Sequence, residues 1–172
     1  MSRAFVKEDA PDGVVYIPPR APLPVGAVNF VTPRGLSLLE SEMIELEVER
    51  ERLKKGDKES ADRNRDLTVI RGRIKDLHSR ILGAKVVRAE DQPPEEVRFG
   101  ATITVKTQKG NKVGLLRTFS IVGVDESDLA TMRVAYVAPI ARSLIGLRVG
   151  EMTTQMMGGV EETLQVTAIA YE

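Results

Sequence analysis

Few residues in this sequence are equipped for chemistry. Cysteine is absent, so a thiol nucleophile, a disulfide scaffold, an iron–sulfur cluster and a zinc finger are all excluded. The single histidine, His78, argues against a His-rich metal site or a Ser/His triad. Aromatic residues make up 4% with no Trp, which argues against stacking bases on aromatic platforms. Lys+Arg and Asp+Glu number 25 each, for a net charge of zero. That is not the balance of a polyanion binder held by bulk positive charge. What remains is a short acidic stretch, Gly56-Asp57-Lys58-Glu59-Ser60-Ala61-Asp62. Carboxylate oxygens are hard ligands of the kind Mg²⁺ prefers, so the question becomes what carries Asp57, Glu59 and Asp62.

Two helical seams flank them. Leu36, Leu39, Met43, Leu46, Arg50 and Leu53 recur in steps of three and four, as do Leu67, Ile70, Ile74, Leu77 and Ile81. Both are heptad seams too short for a long independent coil, and their closeness predicts an antiparallel helical hairpin. In such a pair, facing residues have a constant sum of numbers. Leu53 with Leu67, Arg50 with Ile70, Leu46 with Ile74, Met43 with Leu77 and Leu39 with Ile81 share one sum, which centres the turn near Ser60. Thr32 precedes Pro33, a cap followed by a favoured first helical residue. Glutamates on the first helix and arginines on the second suggest interhelical pairing. Helices of this length reach about 35 Å at 1.5 Å per residue, so residues 32–88 form a rod with an acidic tip at 56–62. His78 falls beside the seam, as a surface residue.

The flanks differ. Residues 1–31 hold Pro11, Pro18, Pro19, Pro22 and Pro24, which predicts an extended arm, either loose or docked on the body or a partner. Residues 89–172 open with the linker Asp91-Gln92-Pro93-Pro94 and then alternate apolar and polar residues in short runs. Strands are expected at 101–105, 115–121, 134–137, 152–157 and 164–171, with a short helix from Pro139 to Leu144. The fold class is α+β: a helical hairpin followed by an antiparallel β domain with one short helix. Residues 1–10 lack the apolar core of a signal peptide and no run is long enough to span a membrane; a cytoplasmic monomer is expected.

Roughly residues 96–172 carry a resemblance. Val97-Arg98-Phe99-Gly100-Ala101-Thr102-Ile103-Thr104-Val105, Ile121-Val122-Gly123, Glu126-Ser127-Asp128, Ala138-Pro139-Ile140-Ala141-Arg142-Ser143-Leu144-Ile145-Gly146, Val149-Gly150 and Ile169-Ala170-Tyr171 resemble, in order and spacing, the C-terminal domain of the GreA/GreB transcript-cleavage factors. Thr32-Pro33-Arg34-Gly35 is similar to the start of that family's coiled coil, and the opening Met1 to Glu8 resembles some GreB-type members. The resemblance implies an FKBP-like domain that grips the secondary-channel rim of bacterial RNA polymerase, with Pro139, Ile140, Arg142 and Leu144 as binding residues; the plainer readings are a surface salt bridge for Arg142 and core packing for Ile140 and Leu144. It implies a rod entering the channel, where Asp57, Glu59 and Asp62 assist the polymerase in cleaving backtracked RNA. Asp57 and Glu59 would ligate metal only jointly with the polymerase, which holds the Mg²⁺; the chain has no cofactor of its own. It is then an accessory factor rather than an enzyme, meeting the nascent RNA 3′ end indirectly and binding DNA weakly or not at all.

The tip departs from the family pattern Gly-Asp-x-Ser-Glu-Asn. Asp57 matches the first acid, but Ser60 stands at the second, with Glu59 one residue off and Asp62 two, and Ala61 replaces the asparagine. The rod is also about two helical turns shorter than the usual family rod. Ala138 replaces the usual capping serine before Pro139, at a cost of about 1 kcal/mol. A channel-binding regulator without cleavage activity is therefore the competing reading. A prolyl isomerase is a poor one, since Phe99, Phe119, Tyr136 and Tyr171 are few and scattered. A coiled-coil adaptor for another partner is the blandest. Asp125, Glu126 and Asp128 read equally as a solvated acidic loop or a polymerase contact.

Overall fold

The computed structural model describes residues 15–55 and 61–171. Helix α1 runs from Pro33 to Lys55 and helix α2 from Ala61 to Leu82. Thr32 caps α1: its hydroxyl accepts the Gly35 N–H at 2.8 Å, satisfying one of the unpaired donors of the first turn. The two helices pack along the seam read from the sequence. Leu39, Leu46 and Leu77 are buried in one apolar cluster, with Leu36, Met43, Ile74 and Ile81 packed against it. The facing pairs Leu46/Ile74, Met43/Leu77 and Leu39/Ile81 thus share a single core. Arg63 of α2 closes the far end by donating to the carbonyls of Leu53 at 2.6 Å and Lys54 at 2.7 Å. These are carbonyls that the end of α1 leaves without helical partners. The turn expected near Ser60 lies outside the described residues.

The charges on the rod pair differently from expectation. Glu47–Arg50, Glu49–Arg52 and Glu51–Lys54 are pairs three apart within α1, while Arg73–Glu42 crosses between helices at 3.7 Å. Neighbours three apart on one helix are always within reach. Arg63 and Arg80 of α2, meanwhile, are engaged elsewhere. His78 is exposed.

A short parallel pair ties the base of the rod together. Strand β1, Asn29–Val31, leads into α1, and strand β2, Ala84–Val86, leaves α2. The remaining strands are β3 (Ala101–Lys109), β4 (Leu116–Val122), β5 (Arg133–Ala135), β6 (Met152–Met157) and β7 (Val160–Tyr171), in the order β5-β4-β3-β7-β6. The sheet is antiparallel except for β5, which runs parallel to β4. The chain between them makes two 3-10 turns, 124–126 and 129–131, and so returns in the same direction. The β6–β7 hairpin turns at Gly158-Gly159, both at positive φ, the conformation a two-residue hairpin loop requires. Inward residues such as Ile103, Val105, Ile121, Leu164 and Val166 form the core, which helix α3 (Pro139–Leu144) covers with Ala141 and Leu144. No described helix is long and apolar enough to cross a membrane.

Candidate functional site

Three places hold the residues with chemical or binding capacity: the end of the rod, the surface around α3, and the junction between rod and sheet. At the rod's end, Asp62 is exposed in the first turn of α2, where the helix dipole favours a carboxylate. Asp57 and Glu59 lie outside the described residues. Among the described residues no group of three His, Asp or Glu side chains gathers to hold a metal ion.

Around α3, the four residues assigned to polymerase binding separate. Pro139 and Arg142 are exposed, Ile140 is half-buried against the core, and Leu144 is fully buried. Leu144 is core and has no surface to offer; the helix is short and amphipathic, and Leu144 falls on its inner side. Ala138 precedes Pro139 with no side-chain cap, as the sequence indicates. Among the described residues no acid pairs with Arg142, so the surface salt bridge that would give it a purely structural role is missing. Instead Arg142 lines an open cleft of about 320 Å³ with Tyr136, Val137, Ile145, Pro24 and Ala27. The cleft's walls are mostly apolar, with Arg142 the one charged residue among them. Such a lining can receive an apolar side chain with an acidic group beside it. Pro24 and Ala27 come from the arm, a contribution the α3 motif alone does not signal.

The junction is where sequence reasoning fell short. Asp125 and Glu126 are neither a solvated loop nor a free contact surface; they are turned inward onto the rod. Glu126, with its side chain only 3% exposed, accepts a 2.5 Å hydrogen bond from the Thr32 hydroxyl and a 3.1 Å ion pair from Arg34. Thr32 thus takes the Gly35 N–H and gives its own proton to Glu126, joining the start of α1 to the turn at 124–126. A Cβ on Gly35 would stand 2.8 Å from the Glu126 carboxylate, so any side chain there requires the carboxylate to move. Asp125 is 8% exposed and faces Arg20 at 3.0 Å and Arg80 at 3.4 Å. Arg20 also grips Glu42 of α1 with two bonds of 2.8 and 2.9 Å. Hydrogen bonding to Glu42 is the main reason its guanidinium pKa is held above the ordinary value, against the opposing effect of burial, with Asp125 adding to the rise. Asp128 instead caps the next turn, accepting from the Ala130 N–H and the Thr131 hydroxyl, both at 3.0 Å.

The aromatic rings serve the same junction. Phe30 of β1, Phe99 and Tyr136 pack with centroids 5.7 Å apart in each pair, and the Tyr136 hydroxyl donates to the Val28 carbonyl. Phe119 is in the sheet core. Tyr171 bridges backbone groups, accepting from the Arg98 N–H at 2.9 Å and donating to the Glu96 carbonyl at 2.6 Å.

By sequence the chain matches one family. A family profile described as "Transcription elongation factor, GreA/GreB, C-term" matches residues 92–171. The chain is similar to the transcription elongation factor GreA of Rhodospirillum rubrum, 30% identical over 155 residues that cover 82% of this chain and 96% of the relative. It is also similar to the GreA of Francisella tularensis subsp. novicida, 33% identical over 105 residues, covering 60% of this chain and 64% of the relative. Among solved structures it is similar to the elongation factor GreA/GreB from Nitrosomonas europaea, at 18% identity and a TM-score of 0.41, covering 84% of this chain and 99% of that one.

Proposed function

Since the chain belongs to the GreA/GreB family of transcription elongation factors, we propose that it binds bacterial RNA polymerase at the secondary channel and promotes cleavage of backtracked RNA. The observation that carries this reading is the rod. Two antiparallel helices leave the sheet at a clamped base, with Lys55 of α1 and Ala61 of α2 at the opposite end. A 23-residue helix sets that end about 35 Å from the base, a reach suited to carrying carboxylates into a narrow passage.

The division of labour follows from the two ends. Pro139, Arg142 and the cleft beside them anchor the factor on the channel rim, with Ile140 supporting the helix from below. Asp57, Glu59 and Asp62 present oxygen ligands at the polymerase's reaction centre. The polymerase's Mg²⁺, when so assisted, acidifies a bound water and stabilises the departing oxygen. The factor's own residues reach and orient; the hydrolytic machinery is the polymerase's.

The test is transcript shortening in purified backtracked elongation complexes with the cognate polymerase. Intact protein should shorten the RNA and restore elongation, Asp57→Ala should abolish shortening while leaving polymerase binding intact, and Arg142→Ala should weaken binding. Unchanged cleavage by Asp57→Ala would remove Asp57 from the mechanism. A second reading is favoured by the altered acidic order at 57–62 and the short rod: a channel occupant that regulates without cleavage. It is the conclusion if bound protein leaves the transcript length unchanged.

A further inference from the structure

Residues 15–28 have no helix or strand, yet they touch all the bodies that meet at the junction. Ile17 lies against α2 at Gly72, where a Cβ would run into the isoleucine side chain. A glycine in the middle of a helix costs about 1 kcal/mol relative to alanine; here the missing side chain is the seat for Ile17. Three residues on, Arg20 bonds Glu42 of α1 and Asp125 of the sheet domain together. Arg80 of α2 donates to the Ala21 carbonyl and faces the same Asp125.

The positions of these bonds along the rod matter. The Thr32–Glu126 contact holds α1 at its capping residue. Glu42 is ten residues further, about 15 Å along the axis at 1.5 Å per residue. A rod held only at its base pivots; a rod held at two points separated along its length does not. A pivot of about 10° at the base would move the far end of a 35 Å rod by about 6 Å. We propose that residues 15–28 are a strap, and that Arg20 is the positioning residue that fixes the direction of the rod relative to the sheet. This claim concerns the free protein and does not depend on what the rod's end does inside a partner.

The absence of cysteine makes the test direct. Cysteines at Val48 on α1 and Met156 on β6, both exposed, take a spin-label pair without competing thiols. Electron–electron distance measurements on the full chain should give one narrow distribution. Arg20→Ala should broaden it by about 4 Å, the displacement of a point 15 residues from the base for the same pivot. Gly72→Leu, which unseats Ile17 while keeping every ion pair, should broaden it less, and Arg20→Lys should fall between. Helix content by circular dichroism should stay unchanged in all three. A broad distribution in the intact chain, or an unaltered one in Arg20→Ala, overturns the proposal. Loss of transcript cleavage by Asp57→Ala would leave it untouched.

Discussion

Glu126→Gln isolates the charge at the base of the rod without changing its shape. The carboxylate is nearly out of solvent and serves Thr32 and Arg34. A hydrogen bond to a charged group contributes about 1.5–3 kcal/mol net, against about 0.5–1.5 for a neutral one, so the Thr32 bond should lose about 1 kcal/mol. The Arg34 guanidinium is half exposed, and its share is discounted to a few tenths, as for exposed ion pairs. Glu126→Gln should therefore cost about 1–1.5 kcal/mol, and Glu126→Ala, which leaves the Thr32 hydroxyl without an acceptor, about 2–3. At about 2–4 °C per kcal/mol for a chain of this size, the Gln variant should melt about 3–5 °C lower. Thr32→Val removes both the cap and the donor, at about 1–2 kcal/mol. Because the two residues share one bond, the double variant should cost about 1 kcal/mol less than the sum of the singles. Urea denaturation of the four proteins, followed by far-UV circular dichroism, measures that coupling. Additivity within about 0.3–0.5 kcal/mol would show that the Thr32–Glu126 contact does not join helix and sheet energetically.

Three further outcomes follow from single positions. Leu77→Ala in the fully buried centre of the rod seam should cost about 2–5 kcal/mol by urea denaturation; a loss near zero would mean that the seam does not hold the helices together. Ala138→Ser supplies the missing cap of α3 and should add about 1 kcal/mol, seen as a raised melting temperature, whereas no gain would mean that Pro139 alone sets that end. Burial pushes the Tyr171 phenol above its ordinary value near 10. A raised pKa means that the native state binds the proton more tightly than the unfolded chain, so this stability is whole below about pH 10 and is lost as pH rises through the native pKa. Tyr171→Phe should lower stability at neutral pH by about 1 kcal/mol and flatten the alkaline fall; an unchanged slope across pH 9–12 would assign that fall to other groups, Tyr136 first.

The hairpin was legible because its determinants are local. A seam spaced three and four residues apart fixes which face of each helix is apolar, and two such seams in one chain leave one antiparallel register that pairs them throughout. The same local logic placed the strands, since alternation of Ile103, Val105, Phe119 and Ile121 with polar neighbours reads directly as an inward and an outward face. Leu144 marks the boundary of that method. A motif can say that a residue belongs to a recognition helix, but in a helix of six residues the inward position is decided by what lies beneath it, and that is set by strands far away in sequence.

The junction was illegible for the same reason in stronger form. Thr32 and Glu126 are 94 residues apart and Arg20 and Asp125 are 105 apart, and no periodicity links such positions. Composition gave the wrong cue, because neighbouring acids in a Gly-flanked loop ordinarily stand in solvent. Two oddities did carry a signal. Gly35 sits in the first turn of a helix and Gly72 in the middle of another, each at a cost in helix propensity that a freely exposed helix face has no reason to bear. One makes room for Glu126 and the other for Ile17. A glycine inside an otherwise strong helix is thus best read as the imprint of something packed against it, and in this chain the two imprints mark where the sheet domain and the arm grip the rod.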